Sequence, residues 1–132
     1  MEEIQVKTHS RIEMIDITPQ VQKLMHKSGV TSGMCVVFVP HTTAALTINE
    51  NADPSVISDM LKELNTIIPL HDGYSHSEGN SAAHIKSSVI GCSQTVLIER
   101  GALQLGTWQS LFFCEFDGPR DRKVWVKIIQ GE

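Results

Sequence analysis

The chain's chemistry is concentrated in its histidines. His71, His76 and His84 fall within one polar stretch, HDGYSHSEGNSAAH (71–84), beside Asp72, Glu78, Asn80 and the only tyrosine, Tyr74. A fourth, His41, directly follows an apolar run and precedes Thr42 and Thr43. Imidazole changes charge near neutrality, transfers protons, and in its neutral form ligates metals. Three chemistries are therefore open. In the first, His41, His76 and His84 hold a divalent metal, zinc or magnesium, with His71, Glu50 or Asp72 as a fourth ligand. Three protein ligands plus water is the pattern of a catalytic zinc site, but neither H-E-x-x-H nor H-x-H is present. In the second, the same three histidines act as general acid and base, with Glu50 or Glu115 orienting one of them. In the third, Thr42, Thr43, Asn80 and Ser81 bind an anion at a helix N-terminus, with Lys86 and Arg120 adding charge.

Each residue also has a plainer role. Asn80 or Ser81 could only cap a helix, and Arg120 could only pair with Asp117 or Asp121. His9 and His26 read as surface residues. A single histidine is more often structural than catalytic. Three histidines delivered by a loop, a helix and a strand end favour a site, and polar loops on a rigid scaffold commonly carry function.

The elements that must position these residues follow from periodicity. Residues 3–17 alternate apolar and polar, which predicts strands, with a bend or hairpin at the polar THSR. Thr18-Pro19 opens a helix that Gly29 ends. Met34–Pro40 (MCVVFVP) predicts a central strand buried on both faces, and Ala44–Glu50 a further strand. Asp53 caps, and Pro54 starts, a helix running to about Leu64, with Val56, Ile57, Met60, Leu61 and Leu64 on its apolar stripe. A third helix starts near Asn80 or Ser81 and ends at Gly91. Thr95–Glu99 is a strand. Trp108–Phe116 and Lys123–Gln130 predict a hairpin joined by the DGPRD turn, with Trp108 as core. The order of elements implies an α+β fold whose sheet is mainly antiparallel, split into two layers.

The chain has 132 residues, which fits one domain spanning 1–132. Its net charge of −4 and scattered basic residues argue against nucleic acid as a partner. No apolar run is long enough to span a membrane, and the N-terminus lacks a signal-peptide pattern. Cys35, Cys92 and Cys114 are odd in number and far apart. Reduced thiols in a cytoplasmic protein are the expectation.

Four segments, in order, resemble the YjbQ-like family: PHTTAALTINENADP (40–54), GNSAAHIKSSVIG (79–91), SQTVLIERGALQLGTWQSL (93–111) and EFDGPR (115–120). The resemblance implies a β-sandwich of about seven strands with two to three helices, and a homotrimer packed through its sheets. It implies a weak, secondary thiamine-phosphate synthase activity, joining a pyrimidine pyrophosphate to a thiazole phosphate with release of pyrophosphate. It marks His41, His76 and His84 as the shared polar site with Asn80 nearby, and Glu50, Gln109, Glu115 and Arg120 as further matching positions. The rival expectations are a metal-dependent hydrolase using the same histidines and a non-catalytic module that binds a small anion.

Overall fold

Ile4 and Val6 are buried and their neighbours exposed in strand β1 (Glu2–Lys7), as alternation demands. In the computed structural model, which describes residues 1–132, the chain continues as β2 (Glu13–Asp16), α1 (Thr18–Ser28), β3 (Gly33–Phe38), β4 (Ala44–Glu50), α2 (Pro54–Ile67) and α3 (Ser81–Ile90). It ends with β5 (Ser93–Glu99), the short β6 (Ala102–Leu103), β7 (Gln109–Glu115) and β8 (Asp121–Gln130). The fold is α+β, with eight strands in two antiparallel sheets and three helices. The larger sheet has the order β1-β8-β3-β5-β6 and the smaller β2-β7-β4.

The two sheets enclose one apolar core. Val37, Ile98 and Val124 enter it from the larger sheet, Leu46 and Phe113 from the smaller, and Val21 and Met25 from α1. Burying each such side chain contributes about 1.5–3 kcal/mol before entropic costs. On the outer face of the smaller sheet, α3 packs Ala83 against Ala45, Cys114 and Phe116. Its small residues, Ala82 and Ala83, let the helix lie close to the strands.

The chain changes sheets six times, and three of these crossings position the site. Residues 8–12 lead from β1 to β2, residues 39–43 from β3 to β4, and residues 116–120 from β7 to β8. Backbone bonds stitch the crossings together: Thr8 N–H donates to Arg120 O at 3.0 Å, Gly118 N–H to Arg11 O at 2.9 Å, and Phe116 N–H to Thr43 O at 3.2 Å. Gly118 sits inside this seam. A Cβ on it would meet the Ser10 carbonyl, Glu115 Cγ at 2.7 Å and Thr8 Oγ1 at 2.9 Å.

Several sequence expectations change here. The predicted 108–130 hairpin does not form, because β7 pairs with β2 and β4 while β8 pairs with β1 and β3. Likewise β1 and β2 flank a bend, not a hairpin, and lie in different sheets. Alternation predicts which face a strand buries and is silent on its partner. β3 is central, yet Met34 and Phe38 on its outer side are exposed. Thr18 does not cap α1. Its Oγ1 accepts the Leu111 N–H at 2.8 Å, tying the helix to β7. Asp53 does cap α2, accepting the Ser55 N–H at 2.9 Å. Trp108, expected in the core, is 64% exposed, because it lies in the turn before β7 and not in the strand.

Candidate functional site

At the end of β3 the chain passes Pro40 and presents His41. The ring's Nε2 accepts the backbone N–H of Lys123 at 3.0 Å. That bond uses the Nε2 lone pair, so the neutral ring carries its proton on Nδ1. Burial, and next the nearby Arg122 guanidinium, push the His41 pKa below the ordinary 6.5. His41 is thus built as a neutral hydrogen-bond donor.

Beneath it lies a buried ion pair. Glu115 ends β7 and is fully buried; Arg122 starts β8 and is 6% exposed. Arg122 Nε donates to Glu115 Oε1 at 2.9 Å, and its Nη2 donates to Glu115 Oε2 and to Thr43 Oγ1. Thr8 Oγ1 adds a 2.8 Å bond to the same carboxylate, and the Asp117 N–H another at 3.0 Å. Burial alone would raise the Glu115 pKa. The Arg122 bonds and these N–H and O–H donors outweigh it and hold the carboxyl below its ordinary value. One pair therefore joins these three crossings.

A second layer faces solvent. Arg120 Nη2 bonds Asp117 Oδ2 at 2.9 Å, and Asn80 Nδ2 reaches the same oxygen at 3.0 Å. Burial would raise the Asp117 pKa, but the Asn80 and Arg120 bonds lower it overall. Asn80 occupies the cap position of α3 without bonding the helix through its side chain, and its Oδ1 is buried without a partner. One turn later, His84 meets His76 of the loop edge-on, with ring centroids 5.7 Å apart and planes at 88°. Tyr74 anchors that loop by donating to Pro69 O at 2.6 Å. His76 lies 4.0 Å from Glu78.

These groups open on one recess of about 480 Å³. His41, Thr42, Thr43, His76, Asn80, His84 and Arg120 line it, as the sequence reading expected, and so do Glu78, Asp117 and Arg122. Apart from Pro40, every lining residue is polar. Arg122 escaped the sequence reading. Its signal was its place in β8, in phase with Val124 and Val126, where an inward arginine requires a carboxylate partner.

Other candidates lie elsewhere. Lys86 is buried on α3, donates to Asn65 of α2 at 2.6 Å, and has its pKa lowered by burial. It fastens two helices together instead of binding an anion in the recess. Gln109 Oε1 accepts the Gly106 N–H at 2.7 Å and closes a turn. Glu50 ends β4 opposite Gln109. His71 and Asp72 are exposed and do not line the recess. Glu115 supports Arg122, as described.

The metal expectation does not fit the donor geometry. No group of three His, Cys, Asp or Glu side chains is arranged to hold an ion. His41 offers no free lone pair, because Nε2 is engaged by Lys123 and Nδ1 bears the proton. His76 and His84 meet edge to face.

The chain's residues 2–131 match the family model "UPF0047 protein YjbQ-like". A UPF0047 protein of Methanocaldococcus jannaschii is 55% identical over 125 residues, covering 95% of this chain and 91% of that protein. The UPF0047 protein YugU of Bacillus subtilis is 52% identical over 127 residues, covering 96% of each chain. Among solved structures, an uncharacterized conserved protein of the yjbq/upf0047 family from Clostridium acetobutylicum is 56% identical, with a TM-score of 0.96 over 98% of this chain and all of that one. A YbjQ-like protein of unknown function from Sulfolobus solfataricus is 33% identical, with a TM-score of 0.95 over 98% of this chain and 96% of that one.

These matches overturn the thiamine-phosphate synthase expectation, and with it transferase chemistry and thiamine biosynthesis. The two UPF0047 proteins carry only the family designation, and the Sulfolobus protein is described as of unknown function. The recess agrees with this correction. Glu115 and Asp117 already pair with Arg122 and Arg120, which leaves little free positive charge for two phosphorylated substrates and a pyrophosphate leaving group.

Proposed function

The chain belongs to the UPF0047 YjbQ-like family, and from its site we propose that it binds a small phosphorylated molecule and exchanges a proton with it through His84. One observation carries this reading: His41, His76, His84, Arg120 and Arg122 open on a single polar recess at the joint of three crossings. Arg120 reaches the recess with its guanidinium oriented by Asp117. His41 supplies a neutral N–H, which favours an anion's oxygen without itself giving up a proton. His84 makes no side-chain hydrogen bond within the chain and borders the recess, so its nitrogens are free for a ligand. A proton-transferring histidine needs that freedom.

Calorimetric titration with inorganic phosphate tests the anchor. Binding is expected, and Arg120→Ala should weaken it at least tenfold. A panel of small phosphate esters and phosphorylated carbonyl compounds, followed by phosphorus NMR and by deuterium uptake from heavy water, tests proton transfer. His84→Gln should keep phosphate binding and reduce turnover by about 10²–10⁴-fold. Absence of phosphate binding, or full turnover in His84→Gln, would sink the reading. The proposal extends to a cytoplasmic homotrimer. The free thiols accord with a reducing compartment, and the exposed apolar face of the larger sheet accords with assembly. No helix is long and apolar enough to cross a membrane.

A further inference from the structure

Arg122 is 6% exposed, yet its guanidinium is bonded on one side only. Nε donates to Glu115 Oε1 at 2.9 Å, and Nη2 donates to Glu115 Oε2, to Thr43 Oγ1 at 2.8 Å and to Thr43 O at 3.2 Å. Nη1 donates to nothing within the chain. It is not sealed off either, because Asn80 Oδ1 and Ser87 Oγ are the only buried side-chain polar atoms without a partner. Nη1 is therefore accessible, and the space that Arg122 borders is the polar recess. His41 borders the same recess with its Nδ1–H also unpaired, since its Nε2 accepts the Lys123 N–H. The Arg122 charge acts directly on His41, so the two groups lie near one another.

Two donors held in this way suit an oxygen, and their charge decides which kind. The guanidinium is already balanced by the buried Glu115 carboxylate, and His41 is neutral, so together they bring hydrogen bonds without net positive charge. A carboxylate there would have little to balance it, whereas a carbonyl oxygen needs only donors. We infer that Arg122 Nη1 and His41 Nδ1–H hold a carbonyl oxygen of the ligand whose phosphate lies at Arg120. The ligand class is then a small phosphorylated aldehyde or ketone. This rests on the phosphate-binding reading above and adds the substrate class that the reading lacks. The same donors suit the proton transfer. When His84 takes the proton from the carbon beside the carbonyl, the C–H electron pair becomes a C=C bond and the C=O pair moves onto oxygen, giving an enolate. Arg122 and His41 meet that new charge, already oriented by Glu115 and Lys123. Return of the proton from His84 restores the carbonyl, with no oxidant or reductant.

Dihydroxyacetone phosphate and glycerol 3-phosphate separate the carbonyl from the phosphate, because the second has a hydroxyl where the first has its ketone. In calorimetric titrations dihydroxyacetone phosphate should bind about tenfold more tightly, the effect of hydrogen bonds that the alcohol makes less well. Infrared difference spectra with a carbon-13 ketone should place the bound C=O stretch at lower frequency than the free one, since donors on the oxygen weaken the double bond. His41→Ala should reduce the preference to about threefold or less and reverse part of that shift. Arg122→Lys can still pair with Glu115 but has no second nitrogen for the recess. It should lose the preference in the same way if its thermal transition stays cooperative, and His41→Ala decides if it does not. Equal affinities for the two esters, or an unshifted stretch in the wild type, overturn the inference, as does a shift that His41→Ala leaves whole. Inorganic phosphate that still binds in those cases keeps the phosphate-binding reading standing. A protein that binds neither ester nor inorganic phosphate overturns that reading itself.

Discussion

Arg122 and Glu115 show how a charged pair can organise a fold. Both lie at inward strand positions, and each satisfies the other across the sheet boundary with Thr43 and Thr8 completing the bonds. Removing one partner strands a buried charge. Glu115→Ala is expected to destabilise the protein by about 3–5 kcal/mol, measured from urea midpoints. His41 makes a pH prediction with a defined sign. Its folded pKa lies below its unfolded value, so the unfolded chain takes up the proton first as pH falls. Its contribution is complete above about 6.5 and is lost as pH falls from there through the folded value. Stability at pH 5.5 should be lower than at 7.5, and His41→Ala should flatten that part of the profile. A profile unchanged by the substitution would remove His41 as its source. At this scale the sequence was informative about residue type and misleading about neighbours. Lys86 looked like an anion ligand, yet its ammonium is buried between helices, because position along α3 does not reveal what α2 brings to meet it.

The elements that matter most are the crossings. Gly118 holds the β7–β8 crossing against the β1–β2 crossing, where any side chain would strike the Ser10 carbonyl and Thr8 Oγ1. Gly118→Ala should cost about 1–3 kcal/mol through that overpacking and should weaken phosphate binding by moving Arg120. A variant with wild-type stability and binding would show that the seam relaxes freely. The Asp53 cap offers a milder control remote from the recess. Asp53→Ala should lower the urea midpoint by removing the α2 cap and leave phosphate binding intact. Most element positions were legible, since alternation and caps are local properties. The failed 108–130 hairpin marks the boundary of that legibility. Its two strands and its turn residues were read from local pattern, but strand pairing is a tertiary matter: β7 lies between β2 and β4, β8 between β1 and β3, and Glu115 and Arg122 bury together across the two sheets.

For the whole molecule, the larger sheet leaves an apolar row open. Leu97, Met34 and Ile129 are cross-strand neighbours, and Phe38 stacks on Trp125 with centroids 6.0 Å apart. Leu97 is 62% exposed, and contiguous apolar surface of this kind favours association. If assembly uses this face, Leu97→Arg should shift the protein to monomer in sedimentation velocity while leaving its thermal transition cooperative. A monomeric wild type would end the proposal of a trimer. The sequence by itself determined the element types, the α+β class, the family resemblance and the concentration of histidines, because periodicity, caps and residue chemistry are written along the chain. Only the tertiary structure decided that the neighbouring strands separate into two sheets, that Arg122 underlies the recess, and that His41 spends its ligating nitrogen on Lys123. Each of those depends on contacts between residues far apart in sequence, whose energies no local pattern records.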